Sequence, residues 1–257
     1  MPSRDIATIT GSFCDGGPYR SVVVADMRGI LLAEHSPDRL FPPASLAKVL
    51  IAETAVHADL DFARPVLVSR LHPTQYPTIL SAFDQDRELT LGEMMALSLT
   101  TSDNAAADYV LDLIGMDRVN ERAQELGMMG TRVATGFRDD EFSRGDESTT
   151  CASDMVRLFE HVYAHKEIGN YRRIWSALIN NLRNTRIPGL LPDDLPVAHK
   201  TGSLEGIAHD VGVLLMPDMP VLLVVLTAHE PVTLETSLQI AHLAREIYDW
   251  AVDFNRH

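Results

Sequence analysis

The sequence predicts an α/β fold (α+β) in which both ends of the chain contribute strands to one sheet. Two pairs of short apolar segments indicate this. Residues 21–25 and 30–33 flank the turn-forming segment 26–29, which ends in glycine. Near the carboxyl end, the apolar runs 210–216 and 220–228 flank a second turn that contains two prolines. From Thr233 onward apolar residues recur at helical spacing, so a closing helix is expected to cover the sheet.

The middle of the chain is predicted to be helical. Apolar residues at helical spacing favour six helices, at residues 45–57, 91–99, 105–114, 117–126, 153–165 and 172–182. We therefore predict a single domain over residues 1–257. Its α/β part takes in approximately 1–44 and 186–257, and its all-helical part takes in approximately 45–185.

The bulk composition limits the partners. The chain has 257 residues, is 46% hydrophobic and carries a formal charge of -14. This composition is ample for a buried core, and the scattered arginines form no basic stripe that would bind nucleic acid. A small anionic substrate remains compatible with the negative charge, because a local cationic pocket matters more than the global charge.

Cysteine usage and the chain start bear on compartment. Cys14 and Cys151 have no metal-type spacing and are expected to be free thiols. The first residues contain no apolar run typical of a signal peptide, and 18 consecutive apolar residues occur nowhere. We expect no membrane span and a cytoplasmic location, or a periplasmic or secreted one if an export signal has been removed. Nothing in the sequence indicates an oligomeric state.

The positions of the few lysines indicate candidate catalytic residues. Only three of the 22 basic residues are lysines, and two of them lie in short motifs with serine or threonine. Arginine cannot give up its proton, whereas a desolvated lysine can act as a base. The prolines before Ser45 predict a helix entry there, and Lys48 would share the helix face of Ser45 at i, i+3. This spacing is the minimum device for activating a serine nucleophile.

Two further tripeptides accompany this pair. Ser102-Asp103-Asn104 lies between two predicted helices, where it could simply cap the second one. Lys200-Thr201-Gly202 leads toward an apolar strand, and its structural alternative is an exposed edge or turn. Each tripeptide alone is weak evidence. The occurrence of all three motifs in this order is far more specific than any one of them.

Ser-x-x-Lys, Ser-Asp-Asn and Lys-Thr-Gly in this order are the motif set of class A β-lactamases and penicillin-binding proteins. The chain resembles that superfamily of penicillin-recognising serine hydrolases, most closely its class A branch. The resemblance covers most of the chain and includes the spacings of 57 and 98 residues between motif starts. It implies an antiparallel five-stranded sheet flanked by helices, plus an all-α subdomain.

The resemblance also implies a role for each motif residue. Ser45 would be the acylated nucleophile, and Lys48 would be the base, or part of the base network, that activates it. Ser102 would relay a proton to the leaving nitrogen. Lys200 would hold the substrate carboxylate with Thr201. Asn104 would contact a substrate amide, and Tyr76 would form an aromatic wall. The N–H of Ser203 would complete the oxyanion hole with that of Ser45. Gly202 is the remaining substrate-binding position.

One departure concerns release of the acyl group. Class A β-lactamases carry a water-activating glutamate, in a Glu-x-x-Leu-Asn pattern, on a loop that corresponds to residues 130–149 here. That pattern is missing, and the glutamate position falls near Phe137 or Arg138. Asp139, Asp140 or Glu141 would substitute only if the loop is redrawn, and a solvated loop is their alternative. Weak or slow activity on classical β-lactams is therefore expected.

These observations favour a serine hydrolase that forms an acyl-enzyme at Ser45 and hydrolyses a β-lactam or related amide. The substrate would be a small molecule that bears a carboxylate. The alternatives are a D-peptidase, esterase or acyltransferase of the same fold, or a non-catalytic β-lactam sensor. No cofactor is expected. His161 and His165 lack a third ligand and are taken as surface histidines, so no metal is expected either.

Overall fold

A computed structural model describes residues 5–74, 78–138 and 147–254 of the chain. Its centre is a five-stranded antiparallel sheet with the strand order β2-β1-β7-β6-β5. This sheet and the helices around it confirm the predicted fold class. The strands are β1 (Tyr19–Asp26), β2 (Leu31–His35), β5 (Val197–Leu204), β6 (Ile207–Leu214) and β7 (Val221–Ala228), and a separate two-stranded ribbon in the middle of the chain is formed by β3 (Pro65–Leu67) and β4 (Glu88–Thr90).

Both predicted hairpins are present. In the first, the Asp26 carboxylate accepts hydrogen bonds from the N–H groups of Arg28 and Ile30, and Gly29 takes the left-handed conformation that closes the turn. In the second, β6 and β7 are buried along their whole length. Strand β1 pairs with β7, so the two ends of the chain form one sheet.

Eight helices occur in the described residues: α1 (Ile6–Asp15), α2 (Ala47–His57), α3 (Leu91–Thr100), α4 (Asn104–Ile114), α5 (Met116–Glu125), α6 (Ala152–His165), α7 (Tyr171–Ile179) and α8 (Thr233–Phe254). The sequence analysis missed α1. The Asp5 carboxylate caps this helix by accepting the Thr8 N–H at 2.8 Å, and its face of Ile6, Ile9 and Phe13 is buried. Helix α7 ends three residues earlier than expected. None of these helices combines the length and apolar character needed to cross a bilayer.

The hydrophobic core has two parts, one on each face of the sheet. Along β1, Val23 points to the part shared with α2, α3, α4 and α6, whereas Val22 and Val24 point to the part shared with α1 and α8. This alternation follows from the period of two in a strand. Helix α2, which carries the serine and lysine motif at its start, is buried from Ala47 through Ala55.

A charged cluster is buried within the helical region. The Glu53 carboxylate accepts hydrogen bonds from Arg122 at 2.8 Å and from the Tyr171 hydroxyl at 2.9 Å. His161 lies 3.2 Å from the same carboxylate and is partly buried, so it is not the surface histidine that the sequence analysis expected. Burial would raise the pKa of Glu53, but these hydrogen bonds outweigh burial and lower it to about 2.

Candidate active site

Ser45 lies in a short 3₁₀ turn, Ala44–Leu46, that leads directly into α2. The residue before it, Ala44, has a φ of 47°, a left-handed conformation that is strained for alanine. Buried His209 supports this turn by donating from Nε2 to the Pro42 carbonyl at 2.8 Å, while its Nδ1 accepts the Thr227 N–H. Burial lowers the pKa of His209 to about 3, so the imidazole holds the turn in its neutral form. Sequence reasoning gave His209 no role.

Lys48 is completely buried and points toward the loop between α3 and α4. Its Nζ donates to the Ser102 carbonyl at 2.7 Å, to Asn104 Oδ1 at 2.5 Å and to Ser102 Oγ at 3.3 Å. Among the described residues, the Ser45 hydroxyl forms no hydrogen bond to this ammonium. Burial lowers the pKa of Lys48 to about 7, against the opposing charges of Asp103 and Asp108. A neutral amine is thus accessible near physiological pH.

In the Ser-Asp-Asn segment, one residue caps a helix and another contacts the catalytic lysine candidate. Asp103 caps α4 by accepting the Ala106 N–H at 2.9 Å, and it also accepts a hydrogen bond from Thr78. The capping alternative is therefore correct for this one residue. Ser102 has a φ of 62°, and this left-handed conformation directs both its carbonyl and its hydroxyl to Lys48.

Lys200 joins the sheet to the loop between α3 and α4 that carries Ser102. It lies on β5, the edge strand of the sheet, and its Nζ donates to Ser102 Oγ at 2.9 Å. The structural alternative of an exposed edge or turn does not hold, because Lys200 and Thr201 are both buried. The edge is covered by the Ser45 turn: a Cβ added at Gly202 would lie 3.1 Å from the Pro43 carbonyl, so a larger residue would have to push this turn away by a few tenths of an ångström. Burial, and then the charge of Lys48, lowers the pKa of Lys200.

Arg186 is a third buried cation of the site and supports β5. Arg186 is 7% exposed, and its guanidinium donates to the Gly202 carbonyl at 2.8 Å, to Ser203 Oγ at 2.7 Å and to the His209 carbonyl. Burial lowers the pKa of Arg186. Sequence reasoning missed Arg186, since no local pattern distinguishes it from the other arginines of the chain.

Phe137 contacts Lys48 at the place where the resemblance leads one to expect a glutamate. The ring centroid lies 4.5 Å from Lys48 Nζ, and the side chain is 8% exposed. The Phe137 N–H donates to Asp108 Oδ1 at 2.7 Å, while Arg138 turns to Asp112. Within the residues that the structure describes, position 137 therefore presents an aromatic ring to the amine rather than a carboxylate.

Four predicted site residues cannot be placed. Tyr76 and the candidate bases Asp139, Asp140 and Glu141 lie outside the described residues. Of the other predicted positions, Lys48 and Lys200 both contact Ser102 Oγ, and Asn104 contacts Lys48. Ser45 lies in the turn before Lys48, and the edge strand carries Lys200, Thr201, Gly202 and Ser203.

The chain is similar to known proteins over most of its length. The model of the beta-lactamase enzyme family matches residues 2–251. The chain belongs to this family. It is 26% identical over 235 residues to the extended-spectrum beta-lactamase PER-1 of Pseudomonas aeruginosa, and this match covers 79% of this chain and 76% of that enzyme. A beta-lactamase of Bacteroides uniformis is 26% identical over 178 residues, covering 62% of this chain and 59% of that enzyme.

Solved structures of the family share the fold. A class A beta-lactamase from Bacteroides cellulosilyticus superposes with a TM-score of 0.84 over 96% of this chain and 98% of that chain, at 21% sequence identity. The predicted resemblance to the class A branch is confirmed. The chain matches less than two thirds of the length of the Bacteroides uniformis relative.

Proposed function

We propose that this beta-lactamase family member is a serine hydrolase that forms an acyl-enzyme at Ser45 with a β-lactam or a related amide. The observation that carries the proposal is the Ser102 hydroxyl between two buried lysines, 3.3 Å from Lys48 Nζ and 2.9 Å from Lys200 Nζ. Across the described ranges of the chain, neither amine has a carboxylate in hydrogen-bond contact. Burying an ammonium group in this way costs stability, and functional sites are where such costs are found.

The acylation step follows from these positions. The Ser45 oxygen attacks the amide carbonyl and its proton passes to neutral Lys48, whose pKa of about 7 matches a general base. The C–N bond then breaks, and Ser102 delivers a proton to the leaving nitrogen and regains one from Lys48. The Ser45–Lys48 hydrogen bond absent among the described residues would form on substrate binding, as catalytic contacts often tighten in the complex.

Substrate recognition is proposed to use the edge strand. The N–H groups of Ser45 and Ser203 would stabilise the oxyanion, and Asn104 would contact a substrate amide. Lys200, Thr201 and the nearby Arg186 would attract a carboxylate, which relieves the mutual repulsion of the cations. A small carboxylate-bearing amide or lactam fits this site best.

Release of the acyl group is proposed to be slow. The ring of Phe137 packs against Lys48 where a carboxylate would activate water. This contact favours an acyl-enzyme that persists. It also supports the second candidate function, in which the acyl group passes to an acceptor other than water or stays on the protein, as in a D-peptidase, esterase, acyltransferase or sensor of this fold.

Intact-protein mass spectrometry with benzylpenicillin tests the proposal. We expect a covalent adduct that accumulates in the wild-type protein and is missing in Ser45→Ala. Ser176→Ala, which alters an exposed serine on α7, is the matched control and should label normally. Labelling retained by Ser45→Ala, or a wild type that shows neither labelling nor turnover of the penicillin, would contradict the acyl-enzyme. Fast turnover without an accumulated adduct would contradict only slow release.

A further inference from the structure

The segment 181–183 joins the two halves of the site. The Asn181 side chain is 4% exposed, and its amide nitrogen donates to the carbonyls of Leu99 and His199, both at 3.1 Å. Leu99 lies near the end of α3, and His199 immediately precedes Lys200 on β5. The Leu182 N–H adds a hydrogen bond to the Thr100 carbonyl at 3.0 Å. The backbone of this segment is thereby held against both motifs.

Arg183 is the charged residue that this anchoring presents. Its backbone N–H donates to Asn181 Oδ1 at 2.8 Å, and its Nη2 lies 3.4 Å from the Thr101 carbonyl, one residue before Ser102. The side chain is exposed, and in the described part of the chain it forms no ion pair with a carboxylate. The contact with Thr101 uses one of the five N–H donors of a guanidinium.

The positive charge of Arg183 acts on the pKa of each buried cation of the site. After burial, it contributes to the lowered pKa of Lys48, of Lys200 and of Arg186. Four cations therefore converge in a protein whose formal charge is -14. Such a local excess of positive charge attracts anions more strongly than one carboxylate-binding lysine would.

We infer that Arg183 binds a second negative charge on the leaving-group side of the substrate, so that the site selects leaving groups with two carboxylates. This inference rests on the proposed function, in which Ser102 protonates the leaving atom and Lys200 holds the first carboxylate. The Lys200 ammonium contacts the hydroxyl of Ser102, and the Arg183 guanidinium contacts the carbonyl of Thr101, the preceding residue of the same loop. A succinate-type leaving group, whose two carboxylates lie on adjacent carbons, is the kind of ligand that two cations on one loop would hold.

Two thioester substrates with the same N-acylglycyl group test the inference. One releases mercaptosuccinate, with two carboxylates, and the other releases 3-mercaptopropionate, with one. Thiol release is followed with a chromogenic disulfide. The ratio of kcat/KM for the two substrates should favour the dianion about threefold at low salt, the size typical of an exposed ion pair. It should fall to about one in Arg183→Gln and in the wild type at 1 M salt.

Arg172→Gln removes another exposed arginine, on α7, and changes the net charge by the same amount as Arg183→Gln. In this control the wild-type ratio of kcat/KM for the two substrates should persist. A ratio that is unchanged in Arg183→Gln, or a wild type that prefers the monoanion, would overturn the inference. Absence of thiol release from both substrates would instead count against the proposed acyl-enzyme.

Binding measurements keep the inference testable in that case. Calorimetry with Ser45→Ala compares N-acetyl-D-alanyl-D-aspartate with its isosteric D-asparagine analogue. The aspartate peptide should bind about threefold more tightly, and this difference should vanish when Arg183→Gln is added. Equal affinities for the two peptides in Ser45→Ala would overturn the role of Arg183 whatever the chemistry of Ser45.

Discussion

The substitution Phe137→Glu addresses the contact that distinguishes this site. The ring centroid of Phe137 lies 4.5 Å from Lys48 Nζ, and the backbone N–H of Phe137 is held by Asp108. Because this backbone contact does not depend on the side chain, a glutamate at position 137 would place its carboxylate beside the amine. A water molecule between the carboxylate and the acyl group would then have a general base.

The expected size of the effect follows from two estimates. A positioned general base contributes at least about 100-fold, so loss of the acyl group should accelerate by about that factor. The new charge also acts on Lys48, since opposite charges about 4 Å apart attract by about 4 kcal/mol at an effective dielectric constant of about 20. This raises the pKa of Lys48 from about 7 by about 3 units and moves acylation to higher pH.

The assay loads the protein with benzylpenicillin, removes the free drug and follows the adduct by intact-protein mass spectrometry. Phe137→Gln is the control, because it has the length of glutamate and no charge. Faster release by Phe137→Glu than by Phe137→Gln supports a missing base. Equal release rates in the two variants would refute it and would leave access of water past the ring as the controlling factor.

Three further predictions concern the charged groups. Acylation of the wild type should rise about tenfold per pH unit below pH 7 and level off above it, since only neutral Lys48 accepts the serine proton, and Lys48→Arg should lose more than about tenfold in acylation rate. A flat pH profile from 5 to 9 in stopped-flow labelling would contradict this. Lys200→Ala should slow acylation by a penicillin more than by its methyl ester, and equal losses would exclude a carboxylate contact. Glu53, with its pKa depressed to about 2, stabilises the fold above the unfolded pKa of 4.5, and this stability of about 3 kcal/mol is lost as pH falls from there toward 2. Urea unfolding should show that Glu53→Gln is less stable at pH 7, because Arg122 loses its buried carboxylate partner and keeps only Glu125, and that this pH dependence is removed.

The motif residues could be read from the sequence because their chemistry is local. Ser45 and Lys48 lie near the start of α2, and the capping role of Asp103 follows from its position before α4. Even so, the direction of Lys48 toward Ser102 rather than Ser45 depends on the left-handed conformation of Ser102, which no sequence pattern of the loop indicates.

By itself, the sequence determined the fold class, both hairpins and most of the helices, since period and capping act between near neighbours. It also determined the motif set that leads to the family. Only the tertiary structure decided that Phe137 packs against Lys48, that Arg186 donates to the β5 backbone and that Arg183 contacts Thr101. These contacts join segments far apart in the chain, and whether such side chains meet depends on how the helices pack on the sheet, which short-range patterns do not encode.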